Sequence, residues 1–119
     1  MFDFGRGAIY LSTELTDMRK SFDTLAALVQ SRLGSDPTSG DAFVFIGKRS
    51  NRLKVLIWED SGYWLCAKRL EQGTFSIPAS DGRALRLSAA QWRLLLEGIV
   101  VLTSKRLKRY VGVGRTPAK

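Results

Sequence analysis

The chain contains no histidine. That excludes His-based triads, imidazole metal ligands and imidazole acid–base chemistry. A single cysteine, Cys66, excludes an internal disulfide framework and a Cys/His zinc cluster. It sits in an apolar run, where a free cysteine serves as a small buried hydrophobe. No apolar run approaches the ~18 residues of a membrane span. Residues 1–6 lack a basic stretch followed by an apolar one, so no signal peptide is expected. The glycines form no phosphate loop with a following Lys-Ser/Thr. Gly112-Val113-Gly114 lacks the strand–turn–helix setting of a dinucleotide site. Carboxylates alone remain for catalysis: Asp17, Asp23, Glu59, Asp60 and Glu71. A Mg²⁺ nuclease can be built from acids, but these have ready readings as a helix cap, a solvated face and a hairpin turn. The expectation is a non-catalytic, cytoplasmic protein with no cofactor and no metal.

What is present is positive charge. The 119 residues carry 19 Lys/Arg against 11 Asp/Glu, a formal net charge of +8, with 45% hydrophobic residues. That is enough for one modest core and one domain. Residues 1–41 hold four cations and six acids, whereas residues 42–119 hold fifteen and five. Such asymmetry points to a nucleic-acid or anionic-surface partner for the second part. The bland alternative is a basic surface that only keeps the protein soluble.

Residues 8–11 read as a short strand. From Asp17 the period becomes helical. Met18, Phe22, Leu25, Val29 and Leu33 form one apolar stripe, with Ala26 beside it. Thr16 is the expected N-cap and Gly34 the C-terminal stop, which places the first helix at about Asp17–Leu33. A meander of strands at about 42–47, 53–59 and 63–70 follows. A short strand is expected at Thr74–Ile77, ended by Pro78. Asp81-Gly82 suits a tight turn into a last strand, Arg83–Leu87. Ser88-Ala89-Ala90-Gln91 is a capping box that opens a second helix with Trp92, Leu95, Leu96 and Ile99 inward. The fold class expected is α+β: a single domain, a mainly antiparallel meander sheet and two helices packed on one face. Residues 1–102 form this domain. Residues 103–119 form a basic flexible tail.

The loop between the first two meander strands, residues 47–52, carries Lys48, Arg49 and Arg52 and no acid. Lys54, Lys68 and Arg69 lie on the adjoining strands. These six cations are candidate phosphate contacts, with Trp58 or Trp64 available to stack. Buried tryptophans and cations protecting a sheet edge are the structural alternative. Arg19 and Lys20 occupy the expected first turn of the helix, where its dipole disfavours cations, which hints at a use beyond stability. Lys105, Arg106, Lys108 and Arg109 make the tail a basic arm without the amphipathic face that a membrane would need.

These residues also carry a resemblance. Thr16-Asp17-Met18-Arg19-Lys20-Ser21-Phe22-Asp23 with Leu25-Ala26-Ala27-Leu28-Val29 resembles the opening motif of the TnpB-type accessory proteins of insertion-sequence family sixty-six. Phe43-Val44-Phe45, Gly47-Lys48-Arg49, Arg52-Leu53-Lys54 and Trp58 continue it. Lys68-Arg69-Leu70-Glu71-Gln72-Gly73, Phe75 and Leu94-Leu95-Leu96-Glu97-Gly98 complete it. It covers about residues 8–99 and is specific as a set. Ser21 and Thr24 stand where the family often has glycine, Ile77 where it has tryptophan, and Ser50-Asn51 where it has Gly-Asp. The resemblance implies a bacterial mobile-element protein, not the RNA-guided nuclease of the same name. It implies an accessory role in transposition beside a separately encoded transposase. The expected partners are DNA (element ends or non-specific duplex), the cognate transposase and a second accessory protein, with a nucleoid location when DNA is bound. The alternative is a module that binds the transposase without touching DNA.

Overall fold

A computed structural model describes residues 7–77, 82 and 84–98. Five strands form one sheet: β1 (Ile9–Ser12), β2 (Ala42–Ile46), β3 (Arg52–Glu59), β4 (Gly62–Arg69) and β5 (Ala84–Leu87). Two helices accompany it, α1 (Phe22–Ser31) and α2 (Ala89–Leu96). The strand order is β4-β3-β2-β1-β5. The meander is present as expected, with Val44 opposite Val55 and Val55 opposite Cys66 in antiparallel register. β1 pairs with β2 in parallel and with β5 antiparallel. The fold is thus α+β with a mostly antiparallel sheet, β1 and β2 being joined through α1.

The helices lie on opposite faces of the sheet, not on one. The sequence shows the cause in β2, Ala-Phe-Val-Phe-Ile, where every residue is buried. A strand apolar on both faces needs cover on both. Phe43 and Phe45 meet Leu25 and Val29 of α1, together with Leu56 of β3. Ala42, Val44 and Ile46 point the other way and share a cluster with Leu53, Val55, Trp92 and Leu95. Cys66 packs half-buried at the edge of that second cluster, and burial pushes its thiol pKa up. It is a packing residue rather than a nucleophile.

α1 begins later than the sequence suggests. Its N-cap is Ser21, whose amide donates to Thr24 Oγ1 at 2.9 Å. Thr16 is not a cap. It is buried, its amide donates to Ile46 O at 2.8 Å, and it forms an isolated parallel bridge with Gly47. Residues 16–20 therefore form an extension before the helix: Thr16 continues the sheet beside the end of β2, and residues 17–20 turn, with Lys20 N–H on Asp17 O at 3.2 Å. Phe22 is 44% exposed and stands outside the core. The C-terminal end is as expected: Gly34 takes φ +63°, and Ser35 N–H returns to Val29 O at 3.0 Å.

Residues 74–77 form no strand. Phe75 is nonetheless buried in the α2-side cluster, and its amide donates to Ser50 O at 2.6 Å. This segment is held by one buried ring and one backbone bond rather than by a ladder. α2 is capped as its sequence proposes: Ser88 Oγ accepts from Gln91 N at 3.1 Å, and Gln91 Oε1 accepts from Ser88 N at 2.8 Å. Gly98 closes it at φ +77°. The expected roles of Pro78, Asp81, Arg83 and Ile99, and of the tail, fall outside the described residues.

Candidate nucleic-acid interface

The extension at residues 16–20 runs beside the loop between β2 and β3 because Gly47 allows it. A Cβ at Gly47 would lie 2.5 Å from Met18 Cγ, so only glycine lets the methionine lie across the strand end. Lys48-Arg49-Ser50-Asn51 then turns the chain, with Ser50 N–H on Gly47 O at 2.8 Å and Ser50 at φ +62°. Between loop and extension lies an open hollow of about 430 Å³, lined by Asp17, Met18, Arg19, Lys48, Arg49 and Arg52 among others. A second hollow of about 310 Å³ shares Met18 and Arg52 with it and continues along β3 and β4 past Lys54 and Arg69. Seven of the sequence candidates line these two hollows: Arg19, Lys48, Arg49, Arg52, Lys54, Lys68 and Arg69.

Their side chains are not equivalent. Among the described residues, Lys48, Arg49 and Arg52 make no side-chain hydrogen bond or ion pair. Lys48 and Arg49 are exposed on the loop, and Arg52 is exposed at the start of β3. Arg52 stands directly opposite Arg69 in the register, a like-charge pair that opposes folding. Arg69 is partly compensated by Glu71, 2.9 Å from its Nε. Lys54 Nζ donates to Lys20 O at 2.7 Å and ties β3 to the extension. Lys20 lines neither hollow; its carbonyl, not its ammonium, meets the group. Lys68 projects to the opposite face of the sheet, where its Nζ donates to Leu96 O at 2.9 Å. That places a cation on the negative end of α2. Lys105, Arg106, Lys108 and Arg109 lie outside the described residues.

The acid in the site is Asp17. Its carboxylate accepts from Arg19 Nε and Nη2 and from the Arg19 amide. The Arg19 guanidinium first, and its amide second, hold the carboxyl far below the usual range, and the nearby Lys48 charge adds to this. Asp17 is therefore ionised throughout the physiological range and already neutralised by its own neighbour. The other candidate acids are dispersed: Glu59 accepts from Trp64 Nε1 at 2.9 Å, and Asp60 occupies the β3–β4 turn at φ +56°. Among the described residues no three Cys, Asp or Glu side chains gather as a metal group.

Of the tryptophans, Trp58 is half-buried and meets Tyr63 edge-on, with ring centroids 5.0 Å apart. Trp64 is 52% exposed on the α2 side. Neither lines the cationic hollows.

One residue beneath the site had no functional signal in the sequence. Arg32, at the end of α1, donates through Nη1 to Thr16 Oγ1 at 2.9 Å and Ser12 Oγ at 3.3 Å. Both hydroxyl residues are buried. Glu14 approaches Arg32 Nε at 3.8 Å from an exposed position and adds little. Arg32 thus staples α1 to the extension that carries Asp17 and Arg19. Arg32→Ala should cost about 2 kcal/mol, the range for hydrogen bonds to a charged donor. Arg32→Lys should recover only part of it, because an ammonium lacks the fork. Urea unfolding of the three proteins checks this, and equal midpoints for all three would contradict the staple.

The chain matches the family described as IS66 Orf2 like protein over residues 7–108. The match runs past the motif region at 8–99 and takes in Lys105, Arg106 and Lys108. Two proteins of Sinorhizobium fredii are similar. The uncharacterized protein y4jC is 41% identical over 91 residues, covering 76% of this chain and 78% of that one. The uncharacterized protein y4hO is 44% identical over 92 residues, covering 76% and 79%. No solved structure matches the chain.

Proposed function

Because the chain belongs to the IS66 Orf2 like family, whose members are transposition-associated accessory proteins, we propose that it binds duplex DNA through the cationic hollows and so assists a separately encoded transposase. The observation that carries this is the set Lys48, Arg49 and Arg52. Three cations line one concave surface and, among the described residues, make no side-chain hydrogen bond or ion pair, and the one acid lining it among those residues, Asp17, is already paired with Arg19. Polyvalent anions satisfy such a surface, and phosphates at duplex spacing are the natural occupant. Arg69 and the Lys54 stem extend the track. The cations of residues 103–119 add sequence-independent affinity. The reading is of a non-catalytic protein acting in the bacterial cytoplasm, at the nucleoid when bound.

Fluorescence anisotropy against labelled element-end and scrambled duplexes, over a salt series, tests it. With about four phosphates neutralised, log K should fall with log salt at a slope of about −3.6. No binding at low salt would remove the reading.

A second reading, docking to the transposase or another accessory protein, is favoured by apolar exposure on the α2 side of the sheet. Trp64 is 52% exposed and Leu94 41%, and β4 is a sheet edge. Capture that survives nuclease and high salt would support it.

A further inference from the structure

We propose that Arg19 reads a guanine edge, and that Asp17 is the positioning residue that aims it; this rests on the DNA-binding reading above. The Arg19 side chain is 91% exposed yet fixed. Asp17 Oδ1 holds its amide at 2.9 Å and its Nε at 3.0 Å, and Oδ2 holds Nη2 at 2.6 Å. Long cations on a surface ordinarily sample many rotamers, and fixing them costs entropy on binding. Here that cost falls on folding, not on recognition.

A guanidinium has five N–H donors. The clamp takes Nε–H and one hydrogen of Nη2. Both hydrogens of Nη1 and the second of Nη2 remain, and one from each nitrogen forms the outer edge of the fork. Two parallel donors on one edge match the O6 and N7 acceptors of guanine in the major groove. The same edge would fit a phosphate in shape but not in charge. Arg19 and Asp17 together are close to neutral, so a phosphate gains little there and meets the carboxylate's repulsion. A neutral base edge meets no such penalty. Lys48, Arg49 and Arg52 line the same hollow and supply the phosphate contacts that set the register. Division of labour between positioning cations and one rigid reader is the usual basis of sequence choice.

The test is selection from a randomised duplex pool by the full chain, followed by binding to the selected sequence. Wild-type protein should enrich guanine at one fixed position. Exchanging that base for 7-deazaguanine, which lacks the N7 acceptor, should weaken binding about tenfold. Arg19→Lys, which keeps the charge but lacks the fork, should abolish the preference, losing about tenfold more affinity on the selected sequence than on unselected duplex. Its exposed site makes misfolding no explanation. Asp17→Asn should also lose the preference, while affinity for unselected duplex rises, since a negative charge leaves the surface. A pool without base preference overturns the inference and leaves DNA binding intact. So does an Arg19→Ala protein weakened equally on every sequence, with a salt slope shallower by about one, because that is a phosphate contact. A chain that binds no duplex at low salt overturns both readings.

Discussion

The Lys48→Ala, Arg49→Ala, Arg52→Ala triple variant is expected to bind duplex DNA on the order of a hundredfold more weakly than wild type, equally on all sequences. Each phosphate contact contributes roughly one unit to the salt slope, so the slope should become shallower by about 2.7. A contribution of roughly 1 kcal/mol per exposed charge-assisted contact gives the affinity loss. The fold should not suffer. None of the three makes a side-chain hydrogen bond or ion pair among the described residues, and all three are exposed. Removing Arg52 also relieves its repulsion with Arg69 across the β3–β4 register. Thermal stability should therefore stay level or rise slightly. The combination is diagnostic: large loss of binding, a shallower slope and no loss of stability. A triple variant with wild-type affinity would separate the hollow from DNA, and a destabilised one would show that the cations serve the fold.

That prediction was reachable from sequence, because a turn with three cations and no acid between two alternating strands is a local pattern. The same holds for the meander and for the capping box of α2. What the sequence did not disclose depends on contacts distant along the chain. Met18 and Phe22 continue the stripe of Leu25, Val29 and Leu33 at helical spacing, so the first helix reads as starting at Asp17. The backbone of Thr16 instead donates to Ile46 O, and residues 17–20 turn before the helix starts. The mistake conceals the Asp17–Arg19 clamp. In a helix, residues two apart face away from one another; in the observed turn they meet at 2.6 Å. Arg32 is hidden for a similar reason, since its partners Ser12 and Thr16 become buried only when the extension lies against β2. The doubly covered sheet was in principle legible in Ala42–Ile46. Its uninterrupted apolar run is the pattern of a strand buried on both faces, whereas helices on one face would leave half of that run uncovered. The Arg52–Arg69 pair is the converse case, a local conflict whose persistence points to use at the surface.

Phe45→Ala is expected to produce the largest loss of stability of any single change considered, about 3–5 kcal/mol. Phe45 is fully buried, on the face where β2 meets Leu25 and Val29. It sits two residues before Gly47, at the base of the cationic loop. Truncation loses its transfer free energy and leaves a hole beneath the strand end, which a central strand covered on both faces cannot close by collapse. For a domain whose total stability is of order 5–15 kcal/mol, that is a large share. Melting should fall by about 15 °C, at roughly 4 °C per kcal/mol. Phe22→Ala is the control. The apolar stripe counts both rings as core, but Phe22 is 44% exposed, so its loss should stay within about 0.5 kcal/mol. Thermal unfolding followed by circular dichroism measures the pair side by side. Equal shifts would mean that α1 packs through Phe22 and that the helix begins earlier than Ser21. A shift confined to Phe45→Ala would confirm that the chain before Ser21 belongs to the sheet and the cationic hollow rather than to the helix.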